Sequence, residues 1–218
     1  MPGPVRRALP TDEAVNALTH LVALVLSVAG FAGLGVLLSI DRGEADTVAA
    51  VGLFGGALIL VYLSSTLYHG VSRPAAKRFL KVVDHCAIFL LIAGTYTPVA
   101  LLALPGPVGW SLLAVVWTIA LAGIVLRLCN AGLFARVSTP LYLAAGWAGL
   151  FWAGPVSERV GAGAAGLLLA GGLAYTIGVV FFCWRGRRYN HAVWHLFVMA
   201  GSVCHFDAIA IYLLPGVA

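Results

Sequence analysis

The chain has 218 residues, of which 61% are hydrophobic and only 10% are charged. Soluble domains carry about 25% charged residues, so this composition excludes a water-soluble globular fold. The net charge is +5, but the basic residues lie mainly in tails and separators between apolar runs, which indicates membrane topology and no nucleic-acid partner. The runs are long and show no period-2 alternation. The predicted fold class is therefore all-α, a polytopic membrane protein.

Seven apolar segments follow one another along the chain, each close to the ~20 residues that cross a bilayer. The predicted spans are residues 15–40, 47–70, 79–104, 108–128, 138–155, 161–184 and 190–214. Separators with charged residues, proline or glycine lie at 41–44, 73–74, 105–107, 127–136, 155–159 and 185–188. Residues 1–14 are predicted to form a short cytoplasmic tail, and residues 15–218 a single seven-helix transmembrane domain.

The distribution of basic residues predicts the orientation of the bundle. The amino-terminal tail and the separators after the second, fourth and sixth spans hold 11 of the 13 lysine and arginine residues. The opposite side holds only Arg42 and Arg159. Because cytoplasmic loops are enriched in lysine and arginine, the amino terminus is predicted to be cytoplasmic and the carboxyl terminus outside.

Small residues and one proline predict details of helix packing. Gly52-x-x-x-Gly56 in the second span and the glycine run from Gly161 to Gly172 suit close contacts between helices. Pro98 lies inside the third span and is predicted to kink it, because proline removes a backbone hydrogen bond.

Polar residues cluster at three span ends that this topology places at one membrane level. Ser65 and His69 close the second span, Asp84 opens the third, and His191 and His195 open the seventh. Ionisable groups at the centres of spans cost ~2.5–3.5 kcal/mol each on insertion scales and therefore indicate function. Residues four apart share a helical face, so the two histidines of the seventh span could contact one ion.

Three neutral imidazoles favour Zn²⁺ as the bound metal. A zinc ion with three protein ligands, here His69, His191 and His195, keeps a position for water and activates it for attack. Asp84 is then the predicted proton acceptor or water-orienting group. Ser65 is the predicted donor to an oxyanion as a carbonyl is attacked. The alternative interpretation is that these histidines only form hydrogen bonds between helices.

Four other polar residues also lie within or near the predicted spans. His20 is expected to form a structural hydrogen bond, with a role near the ion as the alternative. His85 points about 100° away from Asp84 on an ideal helix, so Asp84 is preferred as the site residue. His205 and Asp207 lie ~15–18 Å along the helix from the site. His205 is therefore expected to be a buried hydrogen-bonding group, and Asp207 to pair with another polar group.

The same residues resemble the haemolysin III family, the bacterial branch of the group that contains the progestin and adiponectin receptors. The resemblance covers nearly the whole chain, in Glu13–His20, Tyr62–His69, Asp84-His85, Ala93–Pro98, His191–Phe197 and Cys204–Phe206. It implies a seven-helix fold with a cytoplasmic amino terminus and a zinc ion bound by the three site histidines. Alkaline ceramidases share the S-x-x-x-H, D and H-x-x-x-H pattern, which implies a metal-dependent lipid hydrolase.

The leading hypothesis is a zinc-dependent hydrolase of a lipid amide or ester bond in the bacterial inner membrane, with membrane lipids as partners. It predicts a cavity that reaches an open metal position. One alternative is a non-enzymatic sensor or regulator of membrane homeostasis, which predicts a closed, four-coordinate structural zinc. A cytolysin or pore would need a continuous polar pathway, and the near absence of ionisable residues in spans four to six argues against it.

Overall fold

A computed structural model describes residues 10–41, 45–104, 106–184 and 186–214, and the regular elements in these ranges are helices. They are α1 (Pro10–Asp41), α2 (Ala45–Gly70), α3 (Pro74–Pro98), α4 (Pro107–Cys129), α5 (Ala131–Trp147), α6 (Ala153–Cys183) and α7 (Asn190–Asp207). A π-helical turn follows α3 at Val99–Ala103 and α7 at Ala208–Leu213. A 3-10 turn, Ala148–Trp152, joins α5 to α6.

Six stretches of the described chain are long and apolar enough to cross a membrane. One of them, Ala131–Cys183, contains both α5 and α6 in 53 residues. A straight helix of that length would measure ~80 Å, far more than the ~30 Å hydrocarbon core. The stretch is interrupted at Gly161, whose φ of 73° and ψ of 172° lie outside the helical region. The all-helical, membrane-spanning class predicted from composition is confirmed.

Two predicted separators are helical in the structure. Within 127–136 only Asn130 lies outside a helix, and its side-chain oxygen accepts a hydrogen bond from the Leu133 N–H at 2.9 Å, which caps α5. Residues 155–159 belong to α6. Pro155 fits there because it occupies the first turn, where backbone N–H groups have no helical partner. The interruption falls at Gly161, since glycine adopts positive φ without a steric penalty.

Pro98, where the sequence predicts a kink, marks the end of the regular part of α3. The proline lacks the N–H that would continue the hydrogen-bond ladder, and the π-helical turn Val99–Ala103 follows it directly. Gly106, with a φ of 61°, then turns the chain into α4, which begins with Pro107 in its first turn.

The helices pack as a closed bundle. Each helix contacts the next along the chain, and α1 also contacts α7. Large side chains of α2, α3, α4 and the segment after α7 fill the interior; they include Phe54, Phe89, Leu112 and Ile209, which are fully buried. The carboxyl-terminal turn of α2 meets the amino-terminal turns of α1, α3 and α7 at one end of the bundle. This end is called the site end below.

The predicted packing role of Gly52 and Gly56 is wrong. A Cβ atom added to either residue would meet no atom within 4 Å. The contact is made instead by Gly55, where a Cβ atom would lie 2.1 Å from the ring of Phe31. The Gly-x-x-x-Gly motif is therefore present in the sequence, but Gly52 and Gly56 face away from the neighbouring helix.

The glycine run of α6 does mediate a close helix contact, at Gly171. A Cβ atom there would lie 2.4 Å from the His205 imidazole and 3.0 Å from the carbonyl oxygen of Gly201. The backbones of α6 and α7 can approach this closely because neither Gly171 nor Gly201 has a side chain. In the same run, Gly166 would meet nothing within 4 Å.

Candidate metal centre

Three histidines from two helices meet at the site end. One nitrogen each of His69, His191 and His195 lies within 4.8 Å of the other two. The ring centroids are 5.0 Å apart for His69 and His191, and 4.6 Å apart for His191 and His195. The group arises because α2 ends, and α7 begins, at the same end of the bundle, and because residues four apart on α7 share one face.

Glu13 of α1 determines which nitrogen of His69 faces the group. Its Oε2 lies 2.8 Å from His69 Nδ1 and also accepts a hydrogen bond from Lys77 Nζ at 3.0 Å. A carboxylate only accepts, so Nδ1 of His69 carries a hydrogen, and in the neutral imidazole Nε2 then keeps its lone pair. That Nε2 is buried and has no hydrogen-bond partner among the described residues.

Thr19 of α1 determines which nitrogen of His195 faces the group. The Thr19 hydroxyl donates its single hydrogen to the carbonyl oxygen of Asn16 at 2.9 Å. With the hydroxyl hydrogen on that carbonyl oxygen, the 2.9 Å contact with His195 Nδ1 is an N–H donated by the ring. The Nε2 of His195 is again buried without a partner in the described ranges.

These two lone pairs fit a metal ion. A buried acceptor without a donor costs free energy, whereas a cation shared by converging imidazoles uses both lone pairs. The hydrogen bond from Nδ1 to a carboxylate, as in His69, is the usual support for a metal-bound histidine. His69, His191 and His195 would hold the ion, and the chemistry of three imidazoles suits zinc.

His20 differs from its prediction. Neither of its ring nitrogens has a hydrogen-bond partner among the described residues, although the side chain is only 2% exposed. The expected structural hydrogen bond is therefore not formed. The ring instead stacks on His195 with centroids 3.5 Å apart and meets the edge of Tyr62 at 5.0 Å. Its contribution to the site is to pack against a ligand.

Asp84 and Ser65 come together beside the histidines. The Ser65 hydroxyl lies close enough to the Asp84 carboxylate to interact with it electrostatically. Ser65 is buried and lies one helical turn before His69 on α2. Asp84 is not one of the three clustered ligands. Ser65 is therefore a neighbour of Asp84, and its donation to an oxyanion stays a prediction.

A cavity of about 1050 Å³ opens next to His191, the one residue of the three-histidine cluster that lines it. His191 and Asp84 both line it at the site end, and it continues along α3, α5, α6 and α7 to His205. Most of its wall is apolar. Its volume is at the upper end of the ~300–1,000 Å³ that ligand pockets occupy, which is enough for a long apolar ligand.

The remaining predicted residues lie outside the cluster. His85 Nδ1 accepts a hydrogen bond from Arg127 Nε at 3.2 Å and faces away from Asp84, in agreement with the helix geometry. His205 Nε2 lies 3.1 Å from the Leu168 carbonyl oxygen and links α7 to α6, as expected. Asp207 was expected to pair with another polar group; the ion pairs among the described residues do not include it, so this pairing stays a prediction.

The sequence prediction assigned no role to Glu13 or Thr19. Both belong to the polar side chains at the start of α1, where Glu13, Asn16 and His20 recur at helical spacing in an otherwise apolar span. A polar stripe of this kind on a membrane helix indicates a face turned to the bundle interior. That spacing could have identified α1 as the support of the metal ligands.

Comparison with known proteins gives matches over nearly the whole chain. The model of the family "Haemolysin-III related" matches residues 9–206. Hemolysin-3 of Bacillus cereus is 40% identical over 204 residues, which cover 94% of this chain and 93% of that protein. The Hemolysin-3 homolog of Bacillus subtilis (strain 168) is 36% identical over 201 residues, covering 92% and 94%. The human Monocyte to macrophage differentiation factor is 30% identical over 210 residues, covering 93% and 84%.

Proposed function

The chain belongs to the haemolysin-III related family, and we propose that it is a zinc-dependent hydrolase of an amide or ester bond in a membrane lipid. It is an integral protein of the plasma membrane. The observation that carries the proposal is the cavity of about 1050 Å³, because His191 of the metal cluster and Asp84 share its wall. A purely structural metal site would need no such space beside it.

The proposed topology has seven crossings with the amino terminus in the cytoplasm. Gly161 interrupts the 53-residue stretch Ala131–Cys183 and supports a turn between the fifth and sixth crossings. The site end then faces the cytoplasm, because Lys77, Lys81 and Arg127 all lie near it. Labelling of single cysteines introduced at Arg73 and at Arg159 by a membrane-impermeant reagent would test the orientation.

Zinc is the proposed metal, held by His69, His191 and His195. Support comes from the two buried Nε2 atoms that have no described hydrogen-bond partner, and from the clustering of three ligand nitrogens within 4.8 Å. When bound, zinc supplies Lewis-acid activation of a water molecule and of the substrate carbonyl.

Protein groups near the proposed zinc position can accept the proton of the attacking water and return it to the leaving group. Asp84 accepts that proton as the water oxygen bonds to the carbonyl carbon, and it returns the proton to the leaving nitrogen or oxygen when the C–N or C–O bond breaks. Ser65, which lies beside the Asp84 carboxylate, orients it. The apolar cavity holds the acyl chain and excludes bulk water from the reacting bond.

The experiment combines metal analysis with lipid hydrolysis on purified full-length protein. The substrates are an N-acyl sphingosine and an acyl ester lipid, each incubated with the wild type and with Asp84→Asn, Ser65→Ala and His195→Ala. We expect about one zinc per chain in the wild type and in Asp84→Asn. Removing the general base should slow turnover by about 10²–10⁴-fold in Asp84→Asn. Asp207→Asn, a carboxylate change outside the cluster, is the matched control.

The outcomes separate the enzyme from its alternative. Bound zinc without turnover of either lipid class would overturn the hydrolase proposal. The alternative, a membrane regulator with a structural zinc site, would then remain. Turnover that survives in Asp84→Asn at the wild-type rate would remove Asp84 from the mechanism. Zinc content equal in His195→Ala and wild type would overturn the site itself.

A further inference from the structure

Arg127 is a charged residue that lines the cavity within the bundle. It lies in the last turn of α4, is partly buried, and shares the cavity wall with Asp84 and His191. Its side chain turns inward, since Nε donates to His85 Nδ1 at 3.2 Å and the guanidinium lies 5.4 Å from the centroid of the Phe134 ring. An arginine that only anchored α4 at the membrane surface would extend towards water.

The surroundings of Arg127 hold its guanidinium in one place. The His85 ring stacks on Phe134 with centroids 5.4 Å apart, and the Tyr142 hydroxyl donates to the His85 carbonyl oxygen at 2.8 Å. The hydrogen bond to His85 uses only Nε, so four of the five guanidinium N–H bonds are not used by it. No carboxylate of the described residues forms an ion pair with Arg127. The planar fork is therefore available to an external anion.

Asp84 does not neutralise this arginine. Its carboxylate interacts with Ser65 of α2 and with Lys81, whereas His85, the next residue, accepts a hydrogen bond from Arg127 of α4. Consecutive side chains on a helix diverge by about 100°, which separates the two polar positions. Lys81 lines the same end of the cavity, where its positive charge interacts with the Asp84 carboxylate. One end of an apolar cavity thus carries a cationic position distinct from the metal cluster.

We propose that Arg127, held by His85 and Phe134, binds the anionic group of an acyl lipid whose chain lies in the cavity. The anion is a carboxylate or a phosphate, the two groups that a guanidinium fork binds through paired hydrogen bonds. This inference rests on the proposed function, because the bound anionic acyl lipid would be the substrate or product class of that hydrolase site. The binding itself requires no hydrolysis.

Binding can be measured by quenching of tryptophan fluorescence, because Trp147 and Trp194 line the cavity. The probes are 9,10-dibromostearic acid, a lysophosphatidate carrying the same brominated chain, and the neutral monoacylglycerol with that chain. They are titrated into full-length protein in a neutral detergent, with and without zinc. The matched variants are Arg127→Gln, Arg127→Lys and Arg136→Gln, since Arg136 is an exposed arginine of α5 near the same end.

We expect the wild type to bind at least one anionic probe about 10- to 100-fold more tightly than the neutral one, the range of a charge-assisted pair. Arg127→Gln should remove that preference and leave the neutral probe unchanged. Arg127→Lys should keep part of it, and Arg136→Gln all of it. Preference for the fatty acid alone identifies a carboxylate site, and preference for the lysophosphatidate alone a phosphate site.

Equal affinity for all three probes in the wild type would overturn the proposal, as would equal effects of Arg127→Gln and Arg136→Gln. If Arg127→Gln does not fold, the test uses Arg127→Lys. The proposal would then be overturned if Arg127→Lys kept the full preference for the anionic probe while Arg136→Gln lost it. Anion binding that depends on Arg127 in a protein without lipid turnover would leave this inference standing and remove only the hydrolase.

Discussion

The Thr19 hydroxyl accepts a hydrogen bond from His195 Nδ1 over 2.9 Å, and a residue of α1 thereby sets the tautomer of a histidine on α7. The hydroxyl has no second hydrogen to offer, because it donates to the Asn16 carbonyl oxygen. His195 must then present an unprotonated Nε2 to the cluster. The candidate metal ligands of α2 and α7 are thus oriented by a helix that supplies no ligand of its own.

Replacement of Thr19 by valine tests this relationship. Valine has nearly the same shape but accepts no hydrogen bond, so His195 can protonate at Nε2 and lose its ligand lone pair. We expect zinc affinity to fall about 10- to 100-fold, the usual effect of losing a supporting contact to a metal-bound histidine. Competition with a zinc chelator of known affinity measures the change. Thr19→Ser retains the hydroxyl and should bind like the wild type; equal affinity in Thr19→Val would contradict the tautomer argument.

Glu13 should matter for His69 in the same way. Glu13→Ala removes the acceptor 2.8 Å from His69 Nδ1, and zinc affinity should fall by about 10- to 100-fold. Glu13→Gln keeps an oxygen acceptor but no charge, so a smaller loss is expected. Glu158, an exposed acidic residue of α6, provides the control as Glu158→Ala. A loss of the same size in Lys77→Met and in Glu13→Ala would instead assign the effect to the Glu13–Lys77 ion pair.

Removal of the metal should destabilise the whole bundle. The three ligands join the end of α2 to the start of α7, and binding to the folded state alone adds ~2.7–4.1 kcal/mol at 100–1,000 times the dissociation constant. Thermal unfolding in detergent should therefore shift to lower temperature after chelation and recover with zinc. Calcium, which prefers oxygen ligands, should not restore it. His195→Ala should unfold at one temperature with or without zinc.

The α6–α7 contact predicts a contrast between two glycines. In Gly171→Ala the new methyl group would lie 2.4 Å from the His205 imidazole, and relief of such overpacking costs ~1–3 kcal/mol. Gly52→Ala adds the same methyl group where nothing lies within 4 Å. Thermal unfolding should show a lower midpoint for Gly171→Ala and little change for Gly52→Ala. A similar midpoint for both variants would mean that the helices separate at this point without cost.

The sequence by itself determined the membrane class and the identity of the clustered histidines. Composition alone excludes a water-soluble globule, because too few charged residues exist to cover its surface. His191 and His195 share a face through a spacing of four, which is a local property of any α-helix. His69 could be added because hydropathy and charge place the end of one span and the start of another at the same depth.

Tertiary structure alone decided which groups support those histidines. The contacts of Glu13 with His69 and of Arg127 with His85 join residues 56 and 42 positions apart, and no local spacing encodes such pairs. The sequence also did not determine which face of α2 contacts the neighbouring helix, since Gly55 and not Gly52 makes that contact. In an apolar span both faces have similar composition, so the face that meets another helix depends on how the whole bundle packs. The metal cluster follows from local periodicity at one membrane level, whereas its supports on α1 and the cationic position at Arg127 exist only once the helices are assembled.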